Sequence, residues 1–212
     1  MMEYIKPDEI EKRSFEIIQS ELPHPLDPVL APVVMRVIHT TADFEYVESL
    51  AFSEGVVERA AAALQQGTVI VSDTNMVKSG VDKSRLFELG SDIHCFISDE
   101  DVAETARQNG FPRAKASIDK AAAMDKPLIF AIGNAPTALI RICELKEAGQ
   151  CSPELVIGVP VGFVNVVESK EMLMRSGIPY ITARGRKGGS NVAAAICNAL
   201  IRIAASEVKN DV

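Results

Sequence analysis

A chain of 212 residues with 47% hydrophobic and 24% charged side chains has the apolar content for a sizeable core, which excludes a disordered chain and fits one domain over residues 1–212. Its net charge of −7 argues against nucleic acid or an anionic membrane as partner, because binding a polyanion needs a dense field of lysine and arginine. The opening MMEYIKPDEIEKRSF has no apolar leader region and the apolar stretches read as too short to cross a bilayer, so the expected location is the cytoplasm.

In chain order, PDEIEKRSFEIIQSEL places Ile10, Phe15, Ile17, Ile18 and Leu22 at helical spacing with charges opposite, which predicts a first helix. The proline-rich LPHPLDPVLAP reads as a rigid connector into a second helix over about 29–38. SEGVVERAAAALQQG predicts a third, with Ser53 as N-cap and Gly67 at its end. It leads into TVIVS, the first of five short apolar, β-branched runs; the others are residues 92–97, 127–132, 154–159 and 179–183. Helical patterns at 99–109, 112–124, 136–148, 168–176 and 190–205 separate them. Strand alternating with helix predicts an α/β fold, a parallel sheet covered on both faces. Cys95, Cys143, Cys151 and Cys197 are far apart and form no C-x-x-C, so reduced thiols and no structural metal are expected.

A ligand site on such a sheet lies outside the carboxyl ends of the strands. The residues following the runs are SDTNMVKSG, GNAPTA, PVGFVNVVESK and RGRKGGSN, all polar. Taken singly, each is a turn: glycine and asparagine supply positive φ, Pro136 suits a first helical turn and Ser190 suits an N-cap. Four on one edge predict a polar pocket. RGRKGGS is the most chemically loaded, since Arg184, Arg186 and Lys187 precede two glycines and a helix N-terminus, which favours a carboxylate or phosphate. It fits neither the phosphate-loop nor the dinucleotide pattern. Arg113, Lys115, Lys78, Arg36 and Arg13 with Ser14 are further candidate donors, each equally readable as a solvated side chain.

His39 closes the second helix in RVIHTTADFE. A lone histidine there is more often a hydrogen-bonded core residue than a catalyst. Asp43 would share its face if the helix continued, and two threonines adjoin it, which makes it the best-placed proton-transfer group. No nucleophile-elbow pattern accompanies it.

The blocks KRSFEIIQSEL, RVIHTTADFE, VIVSDTNMVKSGV, AIGNAPTAL, VIGVPVGFVNVVESKE and ITARGRKGGS, in this order between Tyr4 and Leu200, resemble the signature blocks of the precorrin-8X methylmutase family, which also includes cobalt-precorrin-8 methylmutases. One departure is Ala42, where the family pattern would hold a glycine. NGFPRAKASIDKAAA has also drifted but keeps Arg113. The resemblance implies a flavodoxin-like three-layer fold with a mainly parallel five-stranded sheet, a homodimer, and a 1,5-sigmatropic shift of a ring-C methyl group from C11 to C12 of a corrinoid tetrapyrrole. It implies no cofactor, since the methyl group never leaves the substrate and any cobalt belongs to the substrate. His39 matches the family's proton donor and acceptor. Substrate contacts would come from Ser14, Arg36 and Arg113, and after the first strand from Asp73, Met76 and Lys78. The later loops would add Asn134 and Thr137, then Phe163, Glu168 and Ser169, and finally Arg184, Arg186, Gly188, Gly189 and Ser190. Two rival readings are a non-catalytic tetrapyrrole carrier and a phosphate-ligand enzyme using RGRKGGS.

Overall fold

The computed structural model describes residues 6–210; residues 1–5, read above for a leader and for the start of the resemblance, lie outside it. Two helices come first, α1 (Pro7–Glu21) and α2 (Ala31–Thr41), then a single turn α3 (Tyr46–Ser49) and strand β1 (Leu50–Phe52). Helix α4 (Val56–Gln65) leads to β2 (Val69–Ser72), and α5 (Asn75–Gly80) and α6 (Lys83–Glu88) lead to β3 (Asp92–His94). Next come α7 (Glu100–Asn109), α8 (Arg113–Ala122) and β4 (Leu128–Ile132). The order closes with α9 (Pro136–Glu147), β5 (Leu155–Gly158), α10 (Val166–Arg175), β6 (Tyr180–Ala183) and α11 (Ser190–Asn210).

The five expected strands pair in parallel in the order β6-β5-β4-β2-β3, which is the flavodoxin-like order of a doubly wound sheet. The sheet is nevertheless mixed and six-stranded, a correction to the five expected. β1 joins β6 antiparallel, with Leu50 opposite Ala183 and Phe52 opposite Ile181. Three residues carry no periodicity, and it is the free edge of β6 that makes LAF a strand. Ser53 continues this edge instead of capping α4: its N–H donates to the Tyr180 carbonyl at 3.0 Å and its hydroxyl accepts from Tyr180 N–H at 2.9 Å. The α4 N-cap is Gly55, at φ 63°. β3 stops at His94, short of the apolar run, because Phe96 packs with Val102, Ala106 and Ala116 on α7 and α8. The short helices α5 and α6 were not expected; their starts are set by Thr74 and Asp82, whose side chains accept from Val77 N–H and Arg85 N–H.

Alternation along the strands divides the core in two. Ile70, Ile129, Ile157 and Ile181 face α1, α2, α4 and α11, whereas Val69, Val71, Phe130, Ile132 and Val156 face α8, α9 and α10. α11 corrects another expectation, since Ser190–Val208, at mean hydropathy 1.3, is long and apolar enough to cross a membrane by length and composition. Here it is the central helix of one layer, packed along α2, α4 and α5.

Candidate active site at the carboxyl edge of the sheet

Because β2 to β6 are parallel, the loops after them open on one edge, and the antiparallel β1 brings the segment from His39 to Ser49 to that edge as well. Hydrogen bonds tie the loops together. Asp73, 3% exposed, accepts from Gly133, Asn134 and Ala135 N–H at 2.9, 2.8 and 2.7 Å. Burial pushes its carboxyl above the usual range while these three amides pull it back. Its oxygens are thus engaged in fixing the loop that carries Asn134 and leads into Thr137 in the first turn of α9. The hydroxyls of Thr74 and Ser190 are 2.8 Å apart, joining the first loop to the start of α11. A Cβ on Gly133 would stand 2.6 Å from the Ser190 Cα, so these loops meet backbone to backbone.

The RGRKGGS loop is held along its length. Arg184 N–H donates to the Ser49 carbonyl at 2.7 Å, Gly162 N–H to the Arg186 carbonyl at 3.2 Å, and Gly189 N–H to the Val159 carbonyl at 2.8 Å. Gly188, at φ 153°, could not carry a Cβ, which would fall on the Val159 carbonyl oxygen. Arg184 and Arg186 are exposed, and Arg186 lies over the Phe163 ring, 5.3 Å from its centroid. Lys187 is turned elsewhere: its ammonium meets Asp43 at 2.5 Å and Glu45 at 2.6 Å. That pair holds Asp43 below the usual carboxylate range.

His39 is exposed in the last turn of α2. The helix does not continue to Asp43, because Ala42 turns left-handed at φ 52°, so the aspartate serves Lys187 and does not orient the imidazole, a further correction. The histidine ring instead stacks on Phe15 of α1, with centroids 5.1 Å apart and planes 10° from parallel. The Arg36 guanidinium covers the same phenyl at 4.6 Å and pairs with Glu11. Phe15 escapes a reading of the sequence because its helical spacing is equally that of a core residue; its neighbour Ser14 donates to the Ile10 carbonyl at 2.8 Å.

Not every expected contact gathers at this edge. Ser169 is buried and donates to the Val166 carbonyl, and Glu168 lines a hollow of about 720 Å³ between α9 and α10, with Cys143, Met172 and Arg175. That hollow is on the layer opposite His39, and it is the loop edge, not the hollow, that assembles the chemistry. Arg113 opens α8 on that same far layer; α8 runs antiparallel to α9, Lys115 meeting Glu144 and Asp119 meeting Arg141. Within one chain, the sheet separates Arg113 from His39. Lys78 lies on α5, partly buried. Around the loops stand the exposed apolar side chains Met76 (67%), Phe163 (81%) and Val164 (77%), with room for a broad, partly apolar ligand.

Comparison with known proteins agrees with this geometry. The family described as "CbiC: Precorrin-8X methylmutase" matches residues 9–203. A cobalt-precorrin-8 methylmutase of Priestia megaterium is 44% identical over 205 residues, covering 96% of this chain and 91% of the relative. Another, from Salmonella typhimurium, is 43% identical, covering 94% and 97%. A solved precorrin-8x methyl mutase from Thermus thermophilus superimposes with a TM-score of 0.85 at 41% identity, covering 94% of this chain and 98% of that one.

Proposed function

The chain belongs to the precorrin-8X methylmutase family and is an isomerase of cobalamin biosynthesis that moves a methyl group within precorrin-8X or its cobalt complex, and from that premise we propose that His39 exchanges the proton that drives the migration. Protonating the macrocycle makes the carbon next to the methyl-bearing one electron-poor, the methyl group shifts with its bonding pair, and the imidazole then takes the proton back, so the formula is unchanged. Proton transfer of this kind typically supplies about 10²–10⁴-fold; holding the macrocycle in one orientation supplies the remainder.

The observation that carries this reading is the meeting of an exposed, ring-stacked histidine with a pinned loop bearing two exposed arginines on one sheet edge. Arg184 and Arg186 would hold peripheral carboxylates, while Met76, Phe163 and Val164 would meet the apolar ring face. Ser14, Lys78, Asn134, Thr137 and the Gly188-Gly189-Ser190 turn would complete the rim, with Asp73 shaping it from beneath. The working unit would be a cytoplasmic, single-domain homodimer without cofactor, nucleic acid or membrane. Since Arg113 is on the far layer of its own chain, it would reach substrate from the partner protomer, as would Glu168 on its exposed helix face.

The test is single turnover with tetrapyrrole substrate, followed by absorbance and mass. The wild type should change the spectrum at constant mass. His39→Ala should bind the tetrapyrrole yet lose at least about 100-fold in rate, because the imidazole acts on charge that develops only during migration. A folded His39→Ala protein with wild-type turnover would reject the assignment, and sedimentation as a fully active monomer would reject the dimer.

A further inference from the structure

α10 carries a charged side chain that the fold buries almost completely. Lys170 is 1% exposed, and its ammonium donates to the carbonyls of Gly185 at 2.9 Å and Lys187 at 2.7 Å. Among the described residues no carboxylate pairs with it, and burial is the cause that lowers its pKa, to about 8. A buried ammonium without a counter-ion is destabilising. Such groups concentrate where a site needs the charge.

The two carbonyls that Lys170 binds flank Arg186. With the bonds of Arg184 N–H to Ser49, Gly162 N–H to Arg186 and Gly189 N–H to Val159, they pin the backbone from 184 to 189 at five points. Only the arginine side chains are left projecting. Lys187 does not share their task, since its ammonium is engaged by Asp43 and Glu45.

We propose that Lys170 is a positioning residue for substrate binding, holding the 184–187 loop from beneath and setting a third positive charge behind the guanidiniums of Arg184 and Arg186, so that substrate carboxylates meet a preformed cationic cradle. This rests on the reading of that loop as the carboxylate site. Its distance from solvent protects the buried charge from screening, and the fixed loop spares the binding step the ordering of its backbone.

Loss of the proton should weaken the cradle as pH rises through about 8. The other charged or titratable groups on elements packed around Lys170 are Glu168, Glu171 and Arg175 of its own helix, Arg141, Cys143, Glu144, Lys146 and Glu147 of α9, Tyr180 of β6, and the loop's Arg184, Arg186 and Lys187. Arg141 and Glu144 pair with each other, and burial holds the Cys143 thiol at about 11.

The probe is hydrogenobyrinate, the product of the methyl shift in precorrin-8X, titrated by absorbance against wild type, Lys170→Gln, Lys170→Arg and Arg184→Ala between about pH 7 and 9, a window centred on the value for Lys170. Wild-type Kd should rise across that window. Lys170→Gln should bind about tenfold more weakly at the lower pH, with a flat profile and a KM rise larger than its fall in kcat. Lys170→Arg should restore affinity and remain flat, because a guanidinium does not titrate there. A folded Lys170→Gln protein with wild-type Kd and pH dependence overturns the assignment. Should that variant fail to fold, identical pH profiles for wild type and Lys170→Arg would overturn it equally. Arg184→Ala separates the premise: if its affinity is also unaltered, the carboxylate cradle itself is wrong, whereas weakened binding there with an unaffected Lys170→Gln removes Lys170 alone.

Discussion

The imidazole of His39 lies face to face with the phenyl ring of Phe15, 5.1 Å between centroids and 10° from parallel. The group that orients the proposed proton donor therefore comes from α1 across the α1–α2 contact, and it is apolar. Phe15→Leu keeps volume and removes the flat platform. It should lower kcat about fivefold, the effect of losing an aromatic contact worth about 1 kcal/mol, with a smaller change in KM. Phe15→Tyr should stay near wild type. Steady-state kinetics decide the matter, and a raised KM at unaltered kcat would place Phe15 in the binding surface.

Immediately after Thr41 the chain must leave α2 through a left-handed residue, and Ala42 occupies it at φ 52°, ψ 31°. A Cβ in that conformation costs about 1 kcal/mol. Ala42→Gly should relieve it and raise Tm by about 2–4 °C in a chain of this size. It should leave turnover close to wild type, because the His39 stacking partner lies on another helix. Calorimetry showing a lowered Tm would mean that the extra freedom of the unfolded glycine chain outweighs the strain.

Lys187 bridges the arginine loop to the segment after His39 through Asp43 and Glu45. The Lys187 ammonium holds the folded Asp43 pKa below its unfolded value of 3.8. The ionised carboxylate therefore contributes stability that is present above about 3.8 and is lost as pH falls through the lower folded value. Asp43→Asn should narrow the gap in stability between neutral and acid pH. Parallel acid denaturation curves for variant and wild type would show that the bridge adds nothing in solution, the usual outcome for exposed ion pairs.

The parts of this fold legible in the sequence are those set by local periodicity. β2, β4, β5 and β6 fall within a residue of their apolar runs, and α1, α9 and the start of α11 match their helical patterns, because burial on both faces of a parallel sheet leaves a signal several residues long. β1 and the assembly around Ser53 depend on an edge supplied by residues 180–183, more than a hundred positions away, and leave no such signal. The site divides in the same way. The loops after the strands were legible from the position rule for α/β sheets, whereas the partners of individual side chains were not. Asp43 went to Lys187, Asp73 to three backbone amides, and Arg36 to Glu11 and Phe15, each by tertiary contact. Nothing in VESKE distinguishes Lys170 from its charged neighbours, and only the loop packed over it reveals that it is buried.

Arg186 lies over the ring of Phe163, a residue 81% exposed. A guanidinium stacked on an aromatic face keeps its edge N–H groups free in one plane, matched to a carboxylate, and a lysine cannot reproduce that arrangement. Arg186→Lys should therefore weaken tetrapyrrole binding nearly as much as Arg186→Ala, by about tenfold or more. Phe163→Ala should weaken it less, because the arginine remains but its side chain is no longer steered. If the two act as a unit, the double variant should lose less than the sum of the single losses. Salt sharpens the comparison. The Debye length is about 10 Å at 0.1 M ionic strength, so wild-type Kd should rise with added salt, and the slope should flatten in Arg186→Ala. Equal slopes in all variants, with Arg186→Lys binding as wild type, would show that the stack supplies only a point charge and that the loop's planar geometry plays no part in recognition.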